Sequence, residues 1–335
     1  MLDYTKFTED QLKLLAACAD KNPAVAQQAQ AFFASVAEQV LREGIMAGDI
    51  KNFIFSARPF KENEPTIFPL SFLQPGTEDD YTAYVIPAEG KLPVKLIRND
   101  ELTVPTYEMG NSIGWSNRFA RYSRVDVTQD ALSVMKAGFV KKMNDDAYAT
   151  LLAAAVDRNI LVYDSAAGNG QFTKRIVSLM KTIMRRNGGG NSTSMNRHVL
   201  TDLILSPELV EDMRNWNIDQ VDETTRREIY LADDTTVKRV FGVNLHDTDE
   251  FGVGQQYQQY YTDVLGGTMN GTDVEILLGL DLRGGRPSPF VMPVVEDVNV
   301  YPNPDLFTSR RQGYWGTCNV GFGVLDNRNV VVASA

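Results

Sequence analysis

The sequence predicts an α+β fold built from long, separately extended parts. Three observations carry that expectation: one periodic helix of about 30 residues, a proline- and aromatic-rich excursion too long for an ordinary loop, and a β-rich tail. With 335 residues the chain can bury a sizeable core, and its 43% hydrophobic and 23% charged residues are ordinary for a globular protein.

Residues 8–20 read as a short helix, with Thr8 and Gln11 placed as a capping box and Leu12, Leu15 and Ala16 on one face. A second helix follows. Asn22 is placed to cap it, Pro23 suits its first position, Gly44 closes it, and Val25, Ala29, Phe32, Val36 and Val40 form its expected apolar stripe. From Lys51 to Tyr107 seven of the fourteen prolines appear, interleaved with Phe53, Phe55, Phe60, Phe68, Phe72, Tyr81 and Tyr84. That density excludes helix and central strands. What remains is an extended excursion, with YTAYVI and KLPVKLI as hairpin strands around Pro87-Ala88-Glu89-Gly90.

The longest periodic segment spans 128–158. Thr128 is its expected cap, Asp130 complements the N-terminal dipole, and Leu132, Met135, Phe139, Met143, Ala147, Leu151 and Ala155 recur every three or four residues. Gly138 costs helix stability and is expected to mark a close crossing or a bend. A third helix is expected at 173–186, capped by Thr173, with Ile176, Leu179, Met180, Ile183 and Met184 on its apolar face. The glycine run 188–190 after it reads as a surface linker, because no Lys-Ser or Lys-Thr pair ends it. HVLTDLILS then reads as a buried strand, and Ser206-Pro207-Glu208 starts a short helix ending near Trp216. In the tail, VEDVNVY, RQGYWGTCNVGFGVLD and NVVVAS read as strands.

The formal net charge of −10, from 33 basic and 43 acidic residues, argues against a strong nonspecific hold on nucleic acid or anionic lipid, although local basic clusters remain allowed. Cys18 and Cys318 are too few for a disulfide framework and read as free, buried or half-buried thiols. The N-terminus lacks a basic region followed by an apolar core, and no window reaches the roughly 18 apolar residues of a membrane span. The expectation is a soluble protein made in the cytoplasm.

Few residues suggest catalysis. Gly110-Asn111-Ser112-Ile113-Gly114 matches the G-x-S-x-G pattern of a hydrolase nucleophile elbow, with His198 or His246 and Asp202 as conceivable triad partners. The context opposes it: WSNRFARYSRVDV follows, where Arg118, Arg121 and Arg124 recur every third residue without a helical apolar face. The pentapeptide is expected to be a turn, and Ser112 no nucleophile. His246-Asp247-Thr248-Asp249-Glu250 gathers possible metal ligands but lacks calcium-loop spacing and reads as a solvated turn. Asp145-Asp146 and Asp233-Asp234 read as solvated pairs. Neither a catalytic residue, a cofactor nor a metal is assigned. Arg118, Arg121, Arg124, Arg310 and Arg311, with Phe60, Phe68 and Phe72, are the candidates for an assembly interface.

The order of parts resembles one family, the major capsid proteins of tailed double-stranded DNA bacteriophages with the Hong Kong 97-type fold. LTVPTYEMGNSIGWSNRFARYSRVDVTQDALSVMKAGFVKKMNDDAYATLLAAA is similar to a return strand leading into a spine helix. TDLILSPELVEDMRNW is similar to the strand, Ser-Pro turn and helix that open an axial domain, and FGVNLHDT to a strand within it. VNVYPNPDLFTSRRQGYWGTCNVGFGVLDNRNVVV is similar to the closing strands.

The resemblance implies an N-terminal helical arm at 1–50, an extended loop at 51–105, a peripheral domain at 106–200, an axial domain at 201–290 and closing peripheral strands at 291–335. It also implies self-assembly through hexamers and pentamers into an icosahedral virion shell around double-stranded DNA, without sequence-specific binding and without a membrane. Scaffolding, portal and decoration proteins are the implied further partners. Some relatives weld loops through a lysine–asparagine isopeptide bond; Lys61, Lys91 and Lys95 lie in the loop region, and no crosslink is assigned to them. The rival readings are an encapsulin-type bacterial shell and, more remotely, a serine or metal-dependent hydrolase using Ser112 or His246.

Overall fold

The computed structural model describes residues 17–18, 25–32, 34, 53–70, 101–116, 125–167, 170–186, 198–216, 239–271, 273–283, 288–303, 306 and 311–335. Two compact units emerge, each assembled from separated stretches of chain. One comprises residues 1–66, 103–147 and 291–323; the other comprises 67–102, 148–290 and 324–335.

The first unit is a sheet with a helix on one face. Strands β1 (Ser56–Pro59), β10 (Phe290–Pro302), β11 (Arg311–Val320) and β4 (Tyr107–Ser116) lie in the order β1-β10-β11-β4. β1 is the parallel edge strand, where Pro59 interrupts no central ladder. β12 (Gly323–Val324) also pairs with β10. The residues of β11 alternate: Gln312, Tyr314, Gly316, Cys318 and Val320 are buried, while Trp315 is exposed, so the strand has one inward and one outward face.

Helix α1 (Val125–Asp157) runs 33 residues, roughly 50 Å at 1.5 Å per residue. Its whole expected stripe is buried: Leu132, Met135, Phe139 and Met143 in the first unit, Leu151 and Ala155 in the second, with Ala147 at the division. The start differs from expectation, for Thr128 lies inside the helix, three residues past Val125. A side-chain cap contributes only about 1 kcal/mol, less than the burial of one large apolar residue, so packing and not the cap sets the boundary.

Several further expectations change here. Gly110 to Gly114 form the middle of strand β4 and not a turn, paired antiparallel with β11 so that Gly110 faces Thr317, Ser112 faces Trp315 and Gly114 faces Gly313. The paired glycines serve a close approach: a Cβ on Gly114 would stand 2.9 Å from Leu306 Cδ1, and one on Gly313 only 2.4 Å. In the N-terminal helix, residues 25–32 are helical but Val25 and Phe32 are exposed, while Ala26, Ala29, Gln30 and Ala34 are buried. Small side chains let that helix approach closely, and Gln30 Nε2 donates to Cys18 O at 3.2 Å. Asp146 is engaged and not merely solvated, accepting from Tyr107 Oη at 2.5 Å and Lys142 Nζ at 2.7 Å.

The proline-rich excursion leaves and returns through one neck. Thr66 and Val104 bond twice, Val104 N to Thr66 O at 3.0 Å and Thr66 Oγ1 to Val104 O. Beyond it β2 (Ile67–Pro69) pairs with β3 (Glu101–Thr103). The hairpin expected at YTAYVI and KLPVKLI lies outside the described residues, as do Asp233-Asp234, the glycine run 188–190 and most of the helix expected at 8–20.

In the second unit a mixed sheet runs β5-β13-β9-β6-β8-β7. Its strands are β5 (Leu161–Val162), β6 (Asp202–Leu205), β7 (Arg239–Val240), β8 (Val243–Asp247), β9 (Ile276–Leu280) and β13 (Val330–Ser334). β6, β9 and β13 are buried along their length, hence their continuous apolar runs. Helices α2 (Lys174–Arg186) and α3 (Pro207–Arg214) seal the sheet. Ile176, Val177, Met180 and Met184 from α2 meet Leu209, Val210 and Met213 from α3 in one core with Leu203, Leu205 and Leu277. Ser206 caps α3 as expected, accepting from Leu209 N at 3.3 Å, while its hydroxyl donates to Glu275. A further helical segment, α4 (Gln256–Gln259), continues as a π turn through Val264, burying Tyr257 and Tyr261. The tail divides between the units: β10 and β11 belong to the first sheet, β13 to the second, whereas the sequence grouped 291–335 together.

Candidate assembly surface

Of the residues the sequence nominated for an interface, Arg118, Arg121, Arg124, Phe72 and Arg310 lie outside the described residues. Arg311 is exposed at the start of β11, opposite Ser116. Phe60 is half-buried just past β1, its N–H donating to Val294 O at 2.9 Å. Phe68 differs from the other candidates: at 1% exposure it is buried within its own chain, the one inward side chain of β2.

The motifs with possible chemistry are structural in their settings. Ser112 sits on a mid-strand position, not at a strand-to-helix elbow. His246 is part of β8 and not a solvated turn; its Nε2 stands 3.0 Å from Asp202 Oδ1, across the parallel β6–β8 ladder. Burial penalises the Asp202 carboxylate, yet hydrogen bonds from His246, Thr201 and Asn244 hold it below its ordinary range. His198 is buried between Asn329 Oδ1 at 2.8 Å and Asp281 Oδ2 at 3.5 Å. Among the described residues no group of three His, Cys, Asp or Glu could hold a metal ion.

Two exposed features went unnominated. On the outward face of the first sheet Tyr301 and Trp315, paired across β10 and β11, stack at 4.7 Å with 41% and 38% exposure. The alternation in RQGYWGTCNV already places Trp315 opposite in facing to Tyr314, so period-two reading could have found it.

In the second unit a cleft of about 580 Å³ lies along α2, lined by Lys174, Arg175, Val177, Ser178, Lys181 and Phe241. α2 carries five basic residues and no acidic one over its 13 positions. Arg185 and Arg186 in the last turn suit the helix dipole, but Lys174 and Arg175 in the first turn oppose it. Lys181 is half-buried, donates to Phe241 O, and has its ammonium pKa pushed down by burial and by the neighbouring Arg239 charge.

Phe241 and Gly242 form the two-residue turn between β7 and β8, with φ of 50° and 75°. That is the geometry in which Asn-Gly is comfortable, and for a residue with a Cβ the left-handed region costs roughly 1–2 kcal/mol. The Phe241 ring recovers part of this by stacking on Trp216 at 6.2 Å and 29°. FGVNLHDT was expected as a strand; the strand holds Val243–Asp247, and Phe241-Gly242 are the turn before it.

No protein-family model and no curated protein matches the chain. Solved structures do. A chain from Microbacterium phage Oxtober96 aligns with TM-score 0.59 and 12% identity, covering 86% of this chain and 91% of that one. The cyanophage Pam1 capsid asymmetric unit gives TM-score 0.53 and 13% identity over 84% and 88%. The acid-stable capsid of Helicobacter pylori bacteriophage KHP30 gives 0.51 and 8% over 83% and 87%. At such identities the likeness is one of fold: the chain has the α+β fold of phage capsid proteins, the Hong Kong 97 type found in tailed phages.

Proposed function

We propose that the chain is a major capsid protein that self-assembles through hexamers and pentamers into an icosahedral shell enclosing double-stranded phage DNA. The observation that carries this reading is coverage: the likeness to phage capsid structures spans more than four-fifths of both partners. A structural role needs no catalytic centre, and the settings of Ser112, His198 and His246 fit it. The net charge of −10 fits a wall that does not bind packaged DNA tightly. Synthesis in the host bacterial cytoplasm, residence in the virion, and scaffolding, portal and decoration partners belong to the same proposal. So does the division into N-terminal arm, extended loop, peripheral and axial domains, with Arg311 and Phe60 contacting neighbouring copies.

Negative-stain electron microscopy of the purified protein, paired with size-exclusion chromatography, tests the reading. Shells, tubes or capsomer rings are expected. A monomer or dimer that persists across assembly conditions would sink it.

A further inference from the structure

Resting on the shell reading, we infer that the cleft between α2 and the Phe241-Gly242 turn is a docking site for an acidic segment of a second copy of this chain. Three independent features converge there. The first is unspent positive charge. At the cleft Lys174 and Lys181 have no carboxylate within ion-pair distance among the described residues, nor has Arg239 beside Lys181, and Arg175 has only Asp164 at 3.4 Å. Lys174 and Arg175 also stand at the helix end whose dipole repels them, a placement that an incoming carboxylate relieves.

The second feature is the floor. Val177 is buried beneath the cleft and the half-exposed Phe241 ring forms a wall, so the cationic rim surrounds apolar surface. A phosphate backbone needs the rim but not the floor; a protein segment with an apolar side chain beside carboxylates uses both. The third is strain: Phe241 holds a left-handed conformation that Asn or Gly would hold more comfortably, and keeps its ring at the cleft. The occupant follows from charge complementarity. A chain with ten more acidic than basic residues offers carboxylates to every copy beside it, and a basic cleft meeting an acidic patch is a heterologous contact of the kind that closes rings.

The test places a photocrosslinking benzoylphenylalanine at Ser178, an exposed position in the cleft whose side chain makes no hydrogen bond of its own. Light and 15N-labelled chains are mixed before assembly, irradiated as particles and mapped by mass spectrometry. Crosslinks joining light to heavy chains at an acidic peptide are expected. Shells whose Ser178 crosslinks stay within one chain, or run to nucleic acid, overturn this inference and leave the shell reading standing. Protein that forms no assembly overturns both.

A second variant separates docking from folding. Lys174→Glu with Ser178→Glu neutralises the rim, setting two carboxylates against Arg175 and Lys181, and places the one at position 174 in the first turn, where the helix dipole favours an acidic residue. The unassembled protein is expected to melt at an equal or higher temperature while shell yield falls by about tenfold or more. Wild-type yield from this variant would overturn the inference.

Discussion

The side-chain amide of Asn111 on β4 lies against the bare Cα of Gly138 on α1. Asn111 Nδ2 donates to Met135 O at 3.2 Å, and a Cβ added at Gly138 would stand 2.5 Å from that nitrogen. A glycine that weakens the helix is therefore also the opening through which the sheet bonds to it.

Gly138→Ala is expected to lower stability by about 1 kcal/mol, because losing the hydrogen bond and stranding a part-buried amide outweighs the gain of about 1 kcal/mol in helix propensity. In an Asn111→Ala background the sign reverses and Gly138→Ala stabilises, since only propensity remains. Chemical denaturation of the four proteins of this cycle measures it; additive effects would show that the two residues are not coupled.

Gly321→Ala is expected to cost more, about 2–3 kcal/mol. Its Cβ would meet Pro105 O at 2.3 Å, a backbone atom that cannot swing aside as an amide can. The same denaturation measurement applies, and a variant as stable as Gly138→Ala would contradict the ranking.

How far the sequence discloses the fold depends on what each signal encodes. The α1 stripe was legible because period 3.6 maps directly onto burial, and every one of its seven residues is buried. The start of α1 was not, because a threonine cap is a weak signal beside packing. Val25 and Phe32 misled because size was read as burial, whereas the helix turns alanines inward. G-N-S-I-G misled differently: two glycines four residues apart in a strand look like turn punctuation until the partner, here Leu306 over Gly114 and Gly313, is known. The Phe241 cleft required three segments distant in sequence, Lys174–Lys181, Trp216 and Arg239–Gly242, and no local pattern joins them.

Both cysteines are buried and neither is in a disulfide. Burial is the main reason the Cys18 thiol is pushed up to about 11, against hydrogen bonding with Tyr314 that works the other way. At pH 8 it is therefore almost wholly protonated. Iodoacetamide is expected to label neither cysteine in the native protein at pH 8 and both after denaturation. Rapid native labelling of Cys18 would show that its contacts with the sheet open easily.

Two carboxylates in the second unit, buried Asp281 and half-buried Glu275, give opposite pH dependences. Burial disfavours charge on Asp281, but hydrogen bonds from His198, the Arg283 guanidinium and Val199 N–H prevail and hold its pKa well below the ordinary value. Its contribution is present above about pH 4 and is lost as the pH falls below that, because the unfolded chain then binds the proton first. Glu275 is raised, chiefly by burial, with Glu208 and Asp212 adding repulsion against the bond from Ser206. Ionised Glu275 therefore weakens the fold at neutral pH, and the penalty disappears as acid protonates it. Glu275→Gln keeps an acceptor for Ser206 and removes the charge, so it is expected to raise the denaturation midpoint at pH 7, with the advantage shrinking toward pH 4. Asp281→Asn is expected to lower the midpoint at pH 7 and to flatten the acid limb below pH 4. Denaturation midpoints across pH 3 to 8 read both at once. A Glu275→Gln variant less stable than wild type at pH 7 would mean that the charge of Glu275 serves a partner, and the obvious place to look would be beside Ser206 and Glu208.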